Sequence, residues 1–95
     1  MKAARLYGVQ DLRLEEVPKP EAKPGEVLIK VKAVGICGSD FSRYRSYGPK
    51  FPEKGIFTFG HEFSGQIESV GEGVTKFKAG DRVTACPALP CFECE

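Results

Sequence analysis

Two short segments of the sequence hold residue types that could bind a metal ion together. Gly35–Asp40 carries Cys37, and Gly60–Glu62 carries His61, the only histidine of the chain. Zinc favours a thiolate sulfur and an imidazole nitrogen, and an oxygen ligand or water completes its tetrahedron. The neighbouring glycines allow a close approach of the main chain. Spacing alone leaves an alternative open, in which Cys37 is a small buried side chain and His61 a structural one.

A second pair of cysteines, Cys91 and Cys94, has the spacing Cys-x-x-Cys. Such a pair is typical of one half of a four-cysteine structural zinc site. A redox-active pair is the alternative, but it belongs in a βαβ context that the surrounding sequence does not suggest. Cys86 lies close to this pair but within an expected strand, so we interpret it as a buried residue that does not bind metal.

Short strands are expected to position the first two segments. Alternating apolar and polar residues predict a half-buried strand over 26–34 that leads to Cys37, with the odd-numbered residues 27–33 on one face. A second strand is predicted over 62–70, directly after His61, with residues 63, 65 and 67 on one face. Further strands are expected at 2–7 and 12–17, joined by a hairpin turn at residues 8–11, and at 82–86, and other glycine- and proline-containing turns separate the strands. This arrangement indicates a mainly β fold, a small barrel.

One helix is predicted between the two segments. Residues 38–46 have helical character, with Ser39 or Asp40 as the N-terminal cap, and residues 47–55 are expected to form a loop. The 95 residues suffice for one domain with a modest core. The Gly-x-Gly at 71–73 lacks the third glycine of a dinucleotide-binding fingerprint, so we interpret it as a hairpin turn.

Composition and charge argue against several functional classes. Fourteen Lys and Arg residues nearly balance 13 Asp and Glu residues, for a net charge of +1, and the basic residues are scattered. Nucleic acid and anionic membranes are therefore not expected as partners. No apolar run approaches the roughly 20 residues of a membrane-spanning helix, and no signal peptide is recognisable, so a cytoplasmic location is expected.

Taken in order, the motifs of the chain resemble those of the medium-chain zinc-dependent alcohol and polyol dehydrogenases. The shared strings are Gly-Ile-Cys-Gly-Ser-Asp (35–40), Gly-His-Glu (60–62), Val-Gly-x-Gly-Val (70–74) and Gly-Asp-Arg-Val (80–83). The resemblance implies a GroES-like, partly open β-barrel with one or two short helices over residues 1–95, the N-terminal part of a catalytic domain. It also implies a Rossmann cofactor domain outside this chain, so we expect the chain to be part of a longer protein.

The same resemblance implies roles for individual residues. Cys37 and His61 would bind a catalytic zinc ion, with Glu62 as a direct ligand or a close, exchangeable neighbour. Asp40 would orient the His61 ring through a hydrogen bond, as metal-bound histidines generally require. Ser39 would take part in proton transfer from the substrate alcohol.

For the second zinc ion, the resemblance implies that Cys91 and Cys94 supply half of the structural site. The other two cysteines of that site would lie downstream. One ligand of the catalytic zinc would also lie downstream, so both sites are expected to be incomplete in this chain. The chain alone is therefore expected to be inactive.

For the whole protein, the resemblance implies oxidation of a secondary alcohol to a ketone by zinc-assisted hydride transfer to NAD or NADP. The substrate would be a polyol or a polyol phosphate, and the enzyme a homo-oligomer. Residues 60–65 and 87–94 look most like the galactitol-1-phosphate dehydrogenases. Arg43 is also similar to an arginine of those proteins and would bind a phosphate through its planar fork. A solvated charge on a short helix is the alternative for Arg43.

Two other classes of protein remain as alternatives. A zinc-independent quinone reductase of the same superfamily would be expected to lack the set of Cys37, His61 and Glu62. A non-catalytic GroES-like module would bind zinc or a protein partner without turning over a substrate.

Overall fold

The computed structural model describes residues 1–46, 55–88 and 93 of the chain. In chain order its elements are β1 (Lys2–Leu6), β2 (Leu12–Glu16), β3 (Val27–Gly35), α1 (Gly38–Arg45), β4 (Phe57–Thr58), β5 (Glu62–Val70) and β6 (Arg82–Thr84). Strands predominate, as the sequence predicted. The helix α1 has eight residues, and the described part of the chain holds no helix with the length and apolarity that crossing a membrane requires.

The strands form two three-stranded antiparallel sheets. One, which we call the β1 sheet, has the order β2-β1-β4, and the other, the β5 sheet, has the order β3-β5-β6. In the β1 sheet, β1 pairs with β2 along its whole length and with the two residues of β4 on its other edge. In the β5 sheet, β3 and β6 pair with opposite edges of β5.

The hairpin predicted at residues 8–11 is confirmed. The Tyr7 N–H donates to the Asp11 carbonyl across the turn, at 2.9 Å. Gln10 has a positive φ of 55°, a conformation that L-residues other than Asn and Asp adopt infrequently. Its N–H donates to the Tyr44 carbonyl at 2.8 Å, so the turn of the β1 sheet is tied to the last turn of α1.

The longest ladder joins β3 to β5. It runs from Val27 opposite Val70 to Gly35 opposite Glu62, with two register shifts along β3. A register shift changes which side chains share a face of the sheet. The simple alternation expected for β3 is therefore wrong in the second half of the strand, where Val31 is 52% exposed.

The expected face of β5 is confirmed, because Gly65 and Ile67 are buried while the residues between and beside them are exposed. Leu6 on β1 and Ile67 are the buried apolar side chains of the described residues. A cavity of about 980 Å³ lies between the sheets, lined by residues of β1, β3, α1 and 58–60. The described residues thus form an open barrel with a partly filled interior.

Strand β6 is shorter than the sequence predicted. It ends at Thr84, whose hydroxyl donates to the Phe63 carbonyl at 2.7 Å at the end of the ladder. Cys86 therefore lies beyond the paired residues and is exposed. The expectation that Cys86 is buried is wrong, because the expected strand was drawn two residues too long.

The turn after β5 packs closely against the segment that precedes β3. The Gly71 N–H donates to the Glu26 carbonyl, and the Gly25 N–H donates to the Glu72 carbonyl, each at 2.8 Å. A side chain on Gly71 would collide with the Lys23 carbonyl, so the turn requires glycine at this position.

The contact at Gly71 leads to a prediction about stability. Gly71→Ala is expected to lower the free energy of unfolding by about 1–3 kcal/mol, because the added methyl group forces the two main chains apart. Urea unfolding midpoints measure the effect. Gly8→Ala is the matched control, since no atom lies within 4 Å of a Cβ built there. Equal shifts of the midpoint in both variants would contradict the close contact.

Candidate metal centre

The N-terminus of α1 carries the first part of the site. Cys37 is the N-cap residue, in an extended conformation with φ −86° and ψ 154°. The Asp40 carboxylate reaches back and accepts a hydrogen bond from the Cys37 N–H through Oδ2, at 3.0 Å. The expectation of a cap at Ser39 or Asp40 is therefore corrected. Asp40 occupies the third helical position, where a carboxylate satisfies a free N–H and faces the positive end of the helix dipole.

His61 reaches the site from between β4 and β5. Gly60 immediately before it has a φ of 105°, in the region that favours glycine. Glu62 immediately after it begins β5 and pairs with Gly35, at the end of β3. Cys37 follows the end of β3, and His61 precedes the start of β5. The two residues therefore lie close together, because Gly35 and Glu62 are paired.

Three potential ligand atoms converge at this point. The Cys37 sulfur, a ring nitrogen of His61 and a carboxylate oxygen of Glu62 lie within 4.8 Å of one another. Tetrahedral zinc with bonds of about 2.0–2.3 Å separates its ligands by roughly 3.3–3.8 Å. Closing that difference requires small side-chain rotations. The sulfur, nitrogen and oxygen donors also suit zinc chemically, so the three residues fit a zinc site.

A buried carboxylate lies behind the histidine. Asp40 is 5% exposed, and its Oδ1 atom is 3.4 Å from Nδ1 of His61. Both atoms are buried, and among the described residues neither has an aligned hydrogen-bond partner. Leaving both unsatisfied is costly, and a small rotation of the ring would let an Nδ1 proton be donated to Oδ1. That tautomer leaves Nε2 without a proton and available to a metal.

Ser39 lies on the other side of the ring. Its hydroxyl oxygen is 3.5 Å from Nε2 of His61, and the residue is exposed. The hydroxyl is therefore next to the ring nitrogen that faces away from Asp40. The structure thus brings together Cys37, His61 and Glu62. Asp40 lies next to Nδ1 of His61, and Ser39 lies next to Nε2.

Arg43 lies one turn beyond Ser39 on the same face of α1, since residues four apart in a helix are neighbours. Its guanidinium lies over the ring of Phe57, 4.3 Å from the ring centroid. Arg43 is half-buried, while Arg45 at the end of the helix is exposed. Sequence reasoning missed the contact, because it singled out Arg43 by its resemblance to an arginine of known dehydrogenases, and no local pattern connects Arg43 with Phe57.

The predicted half of a structural zinc site falls outside this description. Cys91 and Cys94 are not among the described residues. Their role as ligands of a second zinc ion stays a prediction.

The fold is that of a known domain family. Residues 23–95 match the family described as the alcohol dehydrogenase GroES-like domain. The chain therefore belongs to this family. The match confirms the mainly β, GroES-like barrel that the sequence motifs implied.

Several dehydrogenases are similar to this chain in sequence or structure. The chain is similar to (R,R)-butanediol dehydrogenase of Bacillus subtilis (strain 168), with 46% identity over 97 residues that cover 92% of this chain and 28% of the relative. Sorbitol dehydrogenase of the same organism is 45% identical over 97 residues, covering 100% and 27%. The structure of galactitol-1-phosphate dehydrogenase from Escherichia coli has a TM-score of 0.88 and 40% identity, covering 99% of this chain and 27% of that chain. The chain thus spans about a quarter of the length of these proteins.

The position of Asp40 leads to a prediction about zinc affinity. Asp40→Asn is expected to weaken zinc binding by about 10- to 100-fold. The amide oxygen of asparagine can still accept from the Cys37 N–H, but its NH₂ group cannot accept a proton from Nδ1 of His61. Competition with a chromophoric chelator measures the affinity. Asp81→Asn is the control, because Asp81 also accepts a main-chain N–H, that of Lys78 at 3.0 Å. Zinc affinity unchanged in Asp40→Asn would contradict the orienting role.

Proposed function

We propose that this chain is the zinc-binding part of the catalytic domain of an NAD- or NADP-dependent oxidoreductase. The whole enzyme would oxidise a secondary alcohol of a polyol or polyol phosphate to a ketone. The observation that carries the proposal is the convergence of the ligand atoms of Cys37, His61 and Glu62 within 4.8 Å. The names of the relatives, which are dehydrogenases of diols and polyols, support it.

In this proposal, Cys37, His61 and Glu62 hold the zinc ion. When bound, zinc supplies a Lewis acid that polarises the substrate hydroxyl. Asp40 keeps the His61 proton on Nδ1 and fixes the orientation of the ring. Glu62 is exposed while the other two residues are half-buried, so we assign it the exchangeable position.

Ser39 is our candidate for the proton-transfer residue. A hydroxyl can accept a proton from a substrate hydroxyl while it donates its own. Its place 3.5 Å from Nε2 of His61, on the exposed side of the ligand group, supports access to both substrate and water. The helix α1 holds this hydroxyl in place, because Ser39 lies in its first turn.

The rest of the enzyme follows from the same proposal. Residues 1–95 would be the N-terminal part of a GroES-like catalytic domain, with a Rossmann domain for the nicotinamide elsewhere in the protein. Cys91 and Cys94 would supply half of a structural zinc site. We further propose a cytoplasmic homo-oligomer that acts on a small molecule. The balanced charge, +1 overall, supports a small-molecule partner rather than nucleic acid or membrane.

The metal site leads to the main test of the proposed function. In the intact protein, Cys37→Ser is expected to lose the zinc ion of this site together with NAD(P)-linked polyol oxidation. Elemental analysis and the absorbance of the reduced nicotinamide measure the two losses. Cys86→Ser is the control, since Cys86 is an exposed free cysteine. An intact protein that binds zinc without oxidising alcohols would instead be a non-catalytic module.

The finer proposal is that the substrate is phosphorylated and that Arg43 binds its phosphate. A planar guanidinium can donate two parallel hydrogen bonds to a phosphate. Arg43 lies one turn from Ser39, and its guanidinium lies over the Phe57 ring. A guanidinium that stacks on a ring through one face can still donate the N–H groups of its plane to a phosphate. The similarity to galactitol-1-phosphate dehydrogenase supports this choice of substrate.

Substrate preference tests the phosphate contact. Arg43→Ala is expected to lower the ratio of kcat/KM for a polyol phosphate to kcat/KM for the polyol by about 10- to 100-fold. This corresponds to the loss of charged hydrogen bonds that contribute roughly 1.5–3 kcal/mol. Arg45→Ala removes the same charge from an exposed position on the same helix and serves as the control. A ratio unaffected by Arg43→Ala would contradict the proposed contact of Arg43 with the phosphate.

A further inference from the structure

The helix α1 determines where much of the metal centre lies. Cys37 is its N-cap residue, and Ser39 and Asp40 lie in its first turn. A tilt of α1 would therefore move these three residues together relative to His61, which follows β4. A helix of eight residues is too short to be stable alone, so its orientation depends on contacts with the rest of the fold.

The helix contacts residues 57–61 through two side chains, in reverse chain order. Near the start of α1, Asp40 lies 3.4 Å from the His61 ring. Near its end, the Arg43 guanidinium lies 4.3 Å from the centroid of the Phe57 ring. A later residue of the helix thus contacts an earlier residue of the segment.

The Phe57 side of this contact belongs to a well-anchored strand. Phe57 pairs with Leu6, which is fully buried on β1. Two residues later, the Phe59 N–H donates to the Ala4 carbonyl at 2.9 Å. The rings of Phe57 and Phe59 also meet edge to face, with centroids 5.7 Å apart. The position of Phe57 is therefore set by the β1 sheet, and its contact with Arg43 orients α1.

A second contact fastens the same end of α1 to the same sheet. The Gln10 N–H, in the turn between β1 and β2, donates to the Tyr44 carbonyl at 2.8 Å. The last turn of α1 is thus joined to the β1 sheet at adjacent residues, by one main-chain hydrogen bond and one side-chain stack. Its first turn is joined to the β5 sheet through β3 and Cys37.

We propose that Arg43 is a positioning residue of the metal centre. Its stacking on Phe57 holds α1 against the β1 sheet and so keeps Cys37, Ser39 and Asp40 within reach of His61. The inference rests on the zinc site proposed above. It is independent of a phosphate contact, because stacking uses the face of the guanidinium and hydrogen bonding uses its edge.

Cobalt(II) binding to the intact protein tests this role. The cobalt absorption bands that are lost in Cys37→Ser belong to this site. Measuring only those bands excludes cobalt bound elsewhere in the protein. Arg43→Met keeps an unbranched apolar side chain but removes the stacked cation, and Phe57→Leu removes the ring beneath it. Each is expected to weaken cobalt binding by about three- to tenfold, the range of a partly buried cation–π contact.

The double variant and a charge control complete the design. Arg43→Met with Phe57→Leu is expected to bind cobalt no more weakly than the weaker single variant, because both changes remove the same contact. Arg45→Met is the control, since it removes the same charge from an exposed position of α1. It is expected to leave cobalt affinity unchanged.

Several results would overturn the inference. One is an Arg43→Met protein that binds cobalt as Arg45→Met does, including the case in which only KM for a polyol phosphate rises. Another is a loss of thermal stability without a loss of affinity in the folded protein. Absence of any cobalt spectrum in the unaltered protein would instead refute the metal centre, and the inference with it.

Discussion

The candidate metal centre depends on the pairing of β3 with β5. Gly35 lies opposite Glu62 at the end of this ladder, and so Cys37 and His61 emerge side by side from distant parts of the sequence. A slip of one residue would turn every side chain of the strand to the other face of the sheet. The close approach at Gly65, where a side chain would collide with the main chain of β3, helps to hold the register. The same packing constraint therefore builds the sheet and assembles the ligands.

The buried carboxylate of Asp40 orients the residues that the strand pairing brings together. One oxygen accepts the Cys37 N–H at 3.0 Å, and the other lies 3.4 Å from Nδ1 of His61. A buried charge is tolerated only where its neighbours satisfy it, and both neighbours here are potential metal ligands. The interaction that begins α1 thus also selects which ring nitrogen faces the open side. The same side chain therefore contributes both to the start of the helix and to the organisation of the candidate site.

Local patterns predicted the β1–β2 hairpin, β3 and β5, because alternation and turn residues act over a few positions. They did not predict Phe57–Thr58 as a strand, since its two residues pair with β1 through contacts that are remote in sequence. The cap of α1 was placed too late, because the rule that favours a polar cap does not anticipate Asp40 reaching back to Cys37. The strand before Cys86 was drawn too long for a related reason, as nothing local marks where the ladder ends.

The identity of the site residues was predicted by resemblance, whereas their geometry required the fold. Residue types alone were also consistent with Cys37 and His61 as structural residues that bind no metal. Arg43 illustrates the limit most clearly, because resemblance suggested a phosphate contact, whereas the contact with Phe57 joins positions that are remote in sequence. A planar guanidinium can stack on Phe57 with one face and still present N–H donors along its edge, which the compact ammonium of lysine cannot do. Arginine at this position therefore reconciles fastening the helix with the proposed recognition of a phosphate.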